Sequence, residues 1–445
     1  MTALALAPPA CPPAIGRSAA HKAALGLVWL AVASGAVVFS EPAPVDVLTM
    51  GLVVLLPLIG LAAFPLPLFL LLAMMLAAAA GAFLAAGIAI DTGVAATHTG
   101  VSLYLYVATF VLAAFVAKRP ADHARLILNA YLWAALVAAS AGIAGYFDLL
   151  PGAYDLMTRY GRASGLFKDP NVLGPFLVPA IIYALAQLSG ATLRRGAVLL
   201  GLLAVVGLAM LLSFSRGAWF NLGGAAVVYG VLHVLTVRSH RARLRFMATS
   251  IAGMAAIAML VLVALQFDKV ADLAAERASL SQSYDEGPEG RFGGQQKAMG
   301  LILQSPLGIG AQQFAPHYHH EEPHNVYLSV FLNAGWVGGL AFIAVLAVTS
   351  ALGLRHAFVR TATQPVFLVV YACFLAQALE GFIIDLDHWR HFYLLLALIW
   401  GLMLGKEGAD PSRSRRPPTH KGAGEGSDPR HGRSLPLLEP LAAAH

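Results

Sequence analysis

Reactive polar side chains are densest between His317 and Asn325, where the sequence reads HYHHEEPHN. His324 differs from the three earlier histidines because it follows Pro323 and stands just before a long apolar run. A neutral imidazole at such a position can accept a proton from a hydroxyl group near neutral pH. We therefore predict His324 as the catalytic base of a group transfer. A zinc site is the alternative, but the spacing matches no metal-site pattern, so we predict no metal ligand and a solvated loop for the other histidines.

A second polar group lies in the segment GRASGLFKDPNVLG, residues 161–174. Pro170 and Asn171 suit the first turn of a helix, where Asn can cap free backbone amides and where anions are favoured. Arg162 and Lys168 add positive charge just before that turn. We predict an anion-binding pocket built from Arg162, Lys168 and Asn171. An ordinary turn with interfacial cations is the alternative.

Arg216 lies in the segment SFSRGAW between two apolar runs. An arginine embedded in a membrane helix costs roughly 3 kcal/mol unless it finds a partner or water. Its planar fork of donors matches phosphate oxygens. We predict Arg216 as a phosphate ligand, with an arginine that extends to the lipid headgroups as the alternative.

The elements that must position these residues are membrane spans. The chain of 445 residues is 58% hydrophobic and only 12% charged, with a mean hydropathy of +0.72. A soluble protein carries about 25% charged residues, so this composition indicates a polytopic membrane protein. Runs of about 20 apolar residues cross a bilayer as helices because every backbone group is then bonded within its own segment. The predicted spans are residues 23–40, 47–64, 66–90, 101–117, 124–146, 171–190, 196–214, 217–236, 247–266, 326–350, 365–384 and 390–404.

Lysine and arginine placement orients these spans. With a cytoplasmic N-terminus, 20 of the 29 basic residues fall on the cytoplasmic side, as the positive-inside rule requires. Both termini are then inside, and the long loop of about residues 267–325 is outside, with predicted helices at 270–281 and 291–303. We predict a cytoplasmic segment 1–22, a transmembrane domain 23–404 and a disordered basic tail 405–445 that suits anionic membrane lipid. The short external connections offer little surface for nucleic acid.

Acidic residues near the last two spans form a further group. The pattern Asp385-Leu386-Asp387 also occurs in metal–nucleotide sites, but nucleotide sugars are not supplied on the outer side. We therefore predict capping and ion pairing for these aspartates. Glu380, about one turn inside its span, is expected to pair with an external arginine.

Four segments, in this order, carry a resemblance to a known family: GRASGLFKDPNVLGP, SFSRGAW, GRFGGQQKAMGLILQSPLGIGAQQF and PHNVYLSVFLNAGWVGG. From Arg162 to Gly339 the sequence resembles the O-antigen ligase and O-antigen polymerase superfamily of bacterial inner-membrane glycosyltransferases. The resemblance implies an all-α, GT-C-like membrane fold of about 12 transmembrane helices with one long periplasmic loop. It also implies a metal-independent, inverting glycosyl transfer without a cofactor.

The resemblance further implies the substrates and the roles of the site residues. The donor would be a glycan linked to polyprenyl (undecaprenyl) diphosphate, with Arg162, Arg216 and Arg291 on the diphosphate. His324 would be the base, and Asn325 would orient it or a sugar. We predict ligation to lipid A-core in lipopolysaccharide biosynthesis. Polymerisation of lipid-linked repeat units, a transporter or lipid flippase, and a non-catalytic scaffold are the alternatives.

Overall fold

The protein is described by a computed structural model that covers residues 14–266, 287 and 290–405. All of these residues belong to one compact unit. The predicted helix at 270–281, most of the predicted tail and residues 1–13 of the N-terminal segment lie outside the described residues. The described helices and strands are α1 (Ala14–Ala33), α2 (Pro44–Leu58), α3 (Leu68–Gly87), α4 (Thr92–Lys118), α5 (Pro120–Tyr146), α6 (Ala153–Met157), β1 (Thr158–Arg159), β2 (Arg162–Ala163), α7 (Pro170–Leu188), α8 (Leu193–Leu212), α9 (Arg216–Thr236), α10 (His240–Ala264), α11 (Arg291–Gln304), α12 (Phe314–His317), α13 (Val326–Ala357), α14 (Gln364–Glu380) and α15 (Arg390–Leu404).

The helices confirm an all-α polytopic membrane protein. Among the described residues, eight helical segments are long and apolar enough to cross a membrane. They are Ala19–Ala36, α3, α4, α5, α7, α8, α9 and α13, and α2, α14 and α15 are shorter apolar helices. Each of the twelve predicted runs coincides with one of these elements or with α10. The predicted external helix at 291–303 is also present, as α11.

One predicted span is wrong in its extent. The span predicted for residues 47–64 ends as a helix at Leu58, and an irregular segment continues to Pro67. Pro65 and Pro67 have no amide hydrogen to continue a helix, and Gly60 adopts a left-handed conformation with φ of 71°. The irregular segment is hydrogen-bonded to α4, because the Ala63 amide donates to the Ala114 carbonyl at 2.8 Å.

Small residues let the spans pack closely. Gly81 of α3 faces Gly338 of α13, and an added Cβ at Gly81 would lie 2.5 Å from the Ala334 carbonyl oxygen. A similar approach joins α15 to α4, where a Cβ at Gly401 would lie 2.7 Å from the Ala113 carbonyl oxygen. Helix association in membranes depends on such contacts because lipid offers no hydrophobic driving force between helices.

A break in α13 receives the turn that follows α11. Gly335 has φ of 63° and ψ of −170°, a conformation that only glycine adopts readily. The break lets the Trp336 amide donate to the Pro306 carbonyl at 2.8 Å, while the Ile309 amide donates to Leu332 at 2.7 Å. The end of the long loop is therefore fixed to the helix that begins just after His324.

Candidate active site

His324 lies at the entrance to α13. Asn325 caps this helix, since its Oδ1 accepts from the amides of Tyr327 and Leu328 at 3.0 and 3.3 Å. The Val326 amide donates to the Gly381 carbonyl at 2.9 Å, which ties the start of α13 to the end of α14. His324 itself has φ of 48°, which is uncommon for a residue with a side chain. The side-chain oxygen of Asn325 thus caps α13. Its predicted role in orienting His324 or a sugar stays a prediction.

The imidazole of His324 lies between two carboxylates. Its Nε2 is 3.7 Å from Glu321 Oε2, and its Nδ1 is 3.8 Å from Asp385 Oδ2. Burial and then the nearby Arg291 guanidinium lower the pKa of His324 below its usual range, against the opposing effects of Glu321 and Asp169. The ring is therefore neutral near pH 7, the state in which it can accept a proton.

Asp385, for which the sequence predicted only capping and ion pairing, is the second carboxylate beside His324. It precedes α15, and its Oδ1 accepts a hydrogen bond from the Ser329 hydroxyl of α13 at 2.5 Å. Burial, reinforced by the charge of Asp387, raises the pKa of Asp385 to about 7. The predicted capping role is wrong, since Trp389 is the N-cap residue of α15 and provides no side-chain cap. The Asp-x-Asp pattern drew attention to Asp385, but nothing in the sequence indicates that this side chain lies beside His324.

Glu380 also departs from its predicted role. Its side chain is buried in α14, and Oε2 accepts from Asn221 Nδ2 of α9 at 2.6 Å. Among the described residues this amide, and not an external arginine, is its hydrogen-bond partner. The contact joins α14 to α9, the helix whose first residue is Arg216.

Arg162 is buried and connects three segments. Its Nε donates to the Ser213 carbonyl and its Nη2 to Asn171 Oδ1, both at 2.7 Å. Asp169, not Asn171, caps α7, because Pro170 occupies the first helical position and Asp169 Oδ1 accepts from the Asn171 amide at 2.6 Å. The capping prediction for Asn171 is therefore wrong by two residues, and its side chain instead contacts Arg162.

Arg216 is the first residue of α9 and follows the turn to which Arg162 is bonded. Ser215 caps this helix by accepting from the Ala218 amide at 3.3 Å. Gly217 packs directly on α14, where an added Cβ would lie 2.7 Å from Glu380 Oε1. Arg216 therefore lies between two contacts. The turn before it is bonded to Arg162 through Ser213, and the residue after it packs on the end of α14, which is also bonded to Val326.

Arg291, the first residue of α11, contacts the His324 backbone directly. Its Nη2 donates to the His324 carbonyl at 3.1 Å and also to the Ile383 carbonyl. Arg162, Arg216, Arg291 and His324 are thus linked by a continuous series of contacts through the ends of α9, α13 and α14.

Lys168 and Arg390 form a separate group of ion pairs. Lys168 Nζ and Arg390 Nη1 each lie 3.5 Å from Glu41 Oε1. Arg390 also binds Asp46 of α2 through both Nε and Nη2, at 3.0 and 2.8 Å. These contacts explain an external cation at the start of α15 without any ligand. The predicted role of Lys168 in substrate binding stays a prediction.

A polar cleft of about 290 Å³ opens beside His324. Its wall includes Asn171 and four acidic residues, Asp169, Glu322, Asp385 and Asp387. Burial is the main cause that raises the pKa of Glu322. The guanidinium groups of Arg162, Arg216 and Arg291 do not line this cleft. An acidic cleft suits the hydroxyl groups of a sugar, which donate to carboxylates, better than it suits a phosphate.

Comparison with known families bears on the resemblance rather than on the roles of single residues. Residues 199–343 match the family model described as O-Antigen ligase. This match supports the resemblance of the chain to the O-antigen ligase and polymerase superfamily. The matched stretch includes Arg216, Arg291, His324 and Asn325, whereas Arg162, Lys168 and Asn171 precede it. Members of this superfamily are glycosyltransferase-like enzymes, which supports ligase or polymerase activity in general. A search of the curated proteins found no match to the chain.

Proposed function

We propose that this protein transfers a glycan from undecaprenyl diphosphate to a sugar hydroxyl at the periplasmic face of the bacterial inner membrane. The observation that carries the proposal is the neutral His324 imidazole, held between Asp385 and Glu321 at the edge of a polar cleft. Its carbonyl is fixed by Arg291, and α13 begins at the next residue but one. The base is therefore attached to a rigid helix and faces a volume in which a sugar fits.

The reaction is a single displacement. The acceptor hydroxyl loses its proton to His324 as its oxygen attacks the anomeric carbon. The bond from that carbon to the diphosphate oxygen breaks, and the diphosphate leaves with the electron pair. Attack from the face opposite the leaving group inverts the anomeric configuration. Glu321 and Asp385, both within 4 Å of the ring, stabilise the imidazolium that forms.

Arginine provides the charge that the leaving diphosphate needs, without a metal ion. We assign the direct contact to Arg216, because it stands at the first position of α9, where helix amides also favour anions. Arg162 and Arg291 complete the positive group and hold the Ser213 turn and the His324 backbone in register. The acidic cleft receives the glycan on the other side of His324.

The finer architecture belongs to the same proposal. A GT-C-like arrangement of twelve spans is supported by the helix found at every predicted run. The proposed orientation, with both termini cytoplasmic and the loop of residues 267–325 outside, rests on the distribution of lysine and arginine. It divides the chain into a cytoplasmic segment 1–22, a transferase domain 23–404 and a cytoplasmic tail 405–445. The donor and the acceptor, proposed as lipid A-core, then reach the site from the outer leaflet.

Reconstitution of the purified chain tests the proposal. The protein in lipid vesicles is mixed with an undecaprenyl-diphosphate glycan and EDTA, with or without lipid A-core. Glycan on lipid A-core is the expected product, and chain growth from donor alone would instead identify a polymerase. Movement of donor between leaflets without glycosyl transfer would overturn the transferase assignment in favour of a flippase.

A further inference from the structure

A second group of side chains lies at the cleft, and the proposed transfer assigns it no catalytic step. It consists of His98 on α4 and of Asp387 and His388, which directly precede α15. One donor atom from each of these residues lies within 4.8 Å of the other two. All three side chains are half-buried. Two imidazoles and one carboxylate are a donor set that suits zinc and similar transition ions rather than magnesium or calcium.

The hydrogen bonds around His388 leave one ring nitrogen available. Ser102 has a single hydroxyl proton, and its Oγ is 3.2 Å from the His98 carbonyl, to which it donates. The same oxygen is 2.8 Å from His388 Nε2 and therefore accepts the proton of that nitrogen. A neutral imidazole protonated at Nε2 has its lone pair on Nδ1. Such an outer contact is how metal-binding histidines are usually oriented.

The ligand atoms of the other two groups, His98 and Asp387, are open to the cleft. Within the part of the chain that the structure describes, neither the Asp387 carboxylate nor the ring nitrogens of His98 contact a hydrogen-bond partner. His98 instead stacks on His388, with ring centroids 3.8 Å apart and planes inclined by 20°. Both His98 and Asp387 line the cleft, so an ion can reach them from solvent.

We propose that His98, Asp387 and His388 bind one divalent transition-metal ion, with Zn²⁺ as the representative. Nitrogen and oxygen ligands of one Zn²⁺ lie about 3.3 Å apart. The three groups, whose donor atoms lie within 4.8 Å of one another, must therefore close by up to about 1.5 Å. One of the two stacked rings must also rotate. The nitrogen lone pairs of parallel rings run side by side, whereas two ligands of one ion must both point at it. The half-buried His98 on the cleft wall has the room to do so.

The ion would join α4 to the connection between α14 and α15. That connection carries Asp385, which lies beside His324, and it begins with Gly381, which is bonded to Val326. Bound Zn²⁺ therefore stabilises this wall of the cleft. Since the three ligands are held together only in the folded state, occupancy also raises the unfolding temperature.

Zn²⁺ binding to the full-length, chelator-treated protein tests the site. Isothermal titration is expected to give a high-affinity site at one ion per chain, and substituted Co²⁺ to give the visible absorption of a low-coordinate ion. His98→Ala and Asp387→Asn are expected to lose this site. Ser102→Ala is expected to weaken it by roughly 10–100-fold. His317→Ala, which removes a loop histidine outside the group, is the matched control and keeps the site.

The readout is binding and thermal stability, so it is independent of whether the chain transfers glycans. The wild-type protein showing no Zn²⁺ binding at one ion per chain would overturn the proposal. Equal affinity in His98→Ala and wild type would also overturn it, because the ion would then be held elsewhere. Unchanged unfolding temperatures of the ion-free variants verify that lost binding does not reflect misfolding.

Discussion

At the scale of the residue, His324 is defined by its environment more than by its type. The chain has 15 histidines, and four of them lie between residues 317 and 324. His324 combines a lowered pKa, two carboxylates within 4 Å and a backbone held by Arg291. A base needs its neutral form and a fixed orientation together, and these contacts provide both.

Replacing His324 by alanine is expected to abolish transfer, with a loss of roughly 10²–10⁴-fold in kcat, because no other group accepts the hydroxyl proton. Donor binding is expected to persist, since the arginines remain. Single-turnover assays on reconstituted protein measure the rate, and equilibrium binding measures the donor affinity. His317→Ala is the control, and near-normal transfer by His324→Ala would eliminate its role as base.

The pH dependence of the rate follows from the same residue. Because the pKa of His324 is lowered, the neutral base persists below pH 6.5, and kcat/KM falls only as pH drops through the lowered pKa. Glu321 raises this pKa, so Glu321→Gln is expected to move the acid limb to still lower pH. Rate profiles of both proteins measure the shift. An acid limb that moves upward would contradict this electrostatic account.

Arg216→Lys is expected to reduce kcat/KM at least tenfold, although the charge is conserved. The ammonium group lacks the planar fork that binds two phosphate oxygens at once. Arg245→Lys, at an exposed position of α10, is the control and should transfer normally. Full activity of Arg216→Lys would show that any positive charge at this position suffices.

At the scale of the element, the broken helix α13 holds the active-site loop in place. Its first residues carry the Asn325 cap, and its break at Gly335 accepts the turn after α11. Arg291 and His324 therefore belong to two elements that are attached to one helix at two points. This double attachment fixes His324, the proposed base, relative to α13.

Gly335→Ala is expected to lower the unfolding temperature. Alanine at φ of 63° and ψ of −170° costs about 1–3 kcal/mol in backbone strain, and its Cβ would lie 2.5 Å from the Leu307 carbonyl carbon. Gly201→Ala in α8 is the control because a Cβ there meets nothing within 4 Å. Thermal unfolding in detergent compares the two. Equal stability of both variants would show that the break is not required.

At the scale of the whole molecule, the charged residues are distributed unevenly between the two predicted sides of the membrane. Basic residues concentrate on one predicted side, while the external cation Arg390 is neutralised by Asp46 and Glu41. Among the described residues, the other arginines predicted to be external lie at the starts of α9 and α11 and in the segment before α7. This distribution favours a transferase with an external site over a transporter, which would place its polar groups near mid-membrane.

Cysteine labelling tests the proposed orientation. In a Cys11→Ser background, Tyr160→Cys is expected to react with a membrane-impermeant maleimide in intact cells, because residue 160 is exposed and predicted to be external. Gly190→Cys, in the connection between α7 and α8, is expected to react only after permeabilisation. Buried Cys373 should not interfere. The reverse pattern would invert the topology and place His324 in the cytoplasm.

The sequence by itself determined the local features of this protein. Apolar runs predicted the helices because hydrophobic length acts within one segment, and the order of four motifs indicated the superfamily. It also singled out His324, whose position at a membrane end is readable from its neighbours. Only tertiary structure decided which distant residues meet: Asp385 with His324, Arg390 with Asp46, and His98 with His388. These contacts depend on how the helices pack, and helix packing follows from small-residue surfaces and bends such as Gly335, which linear spacing does not record.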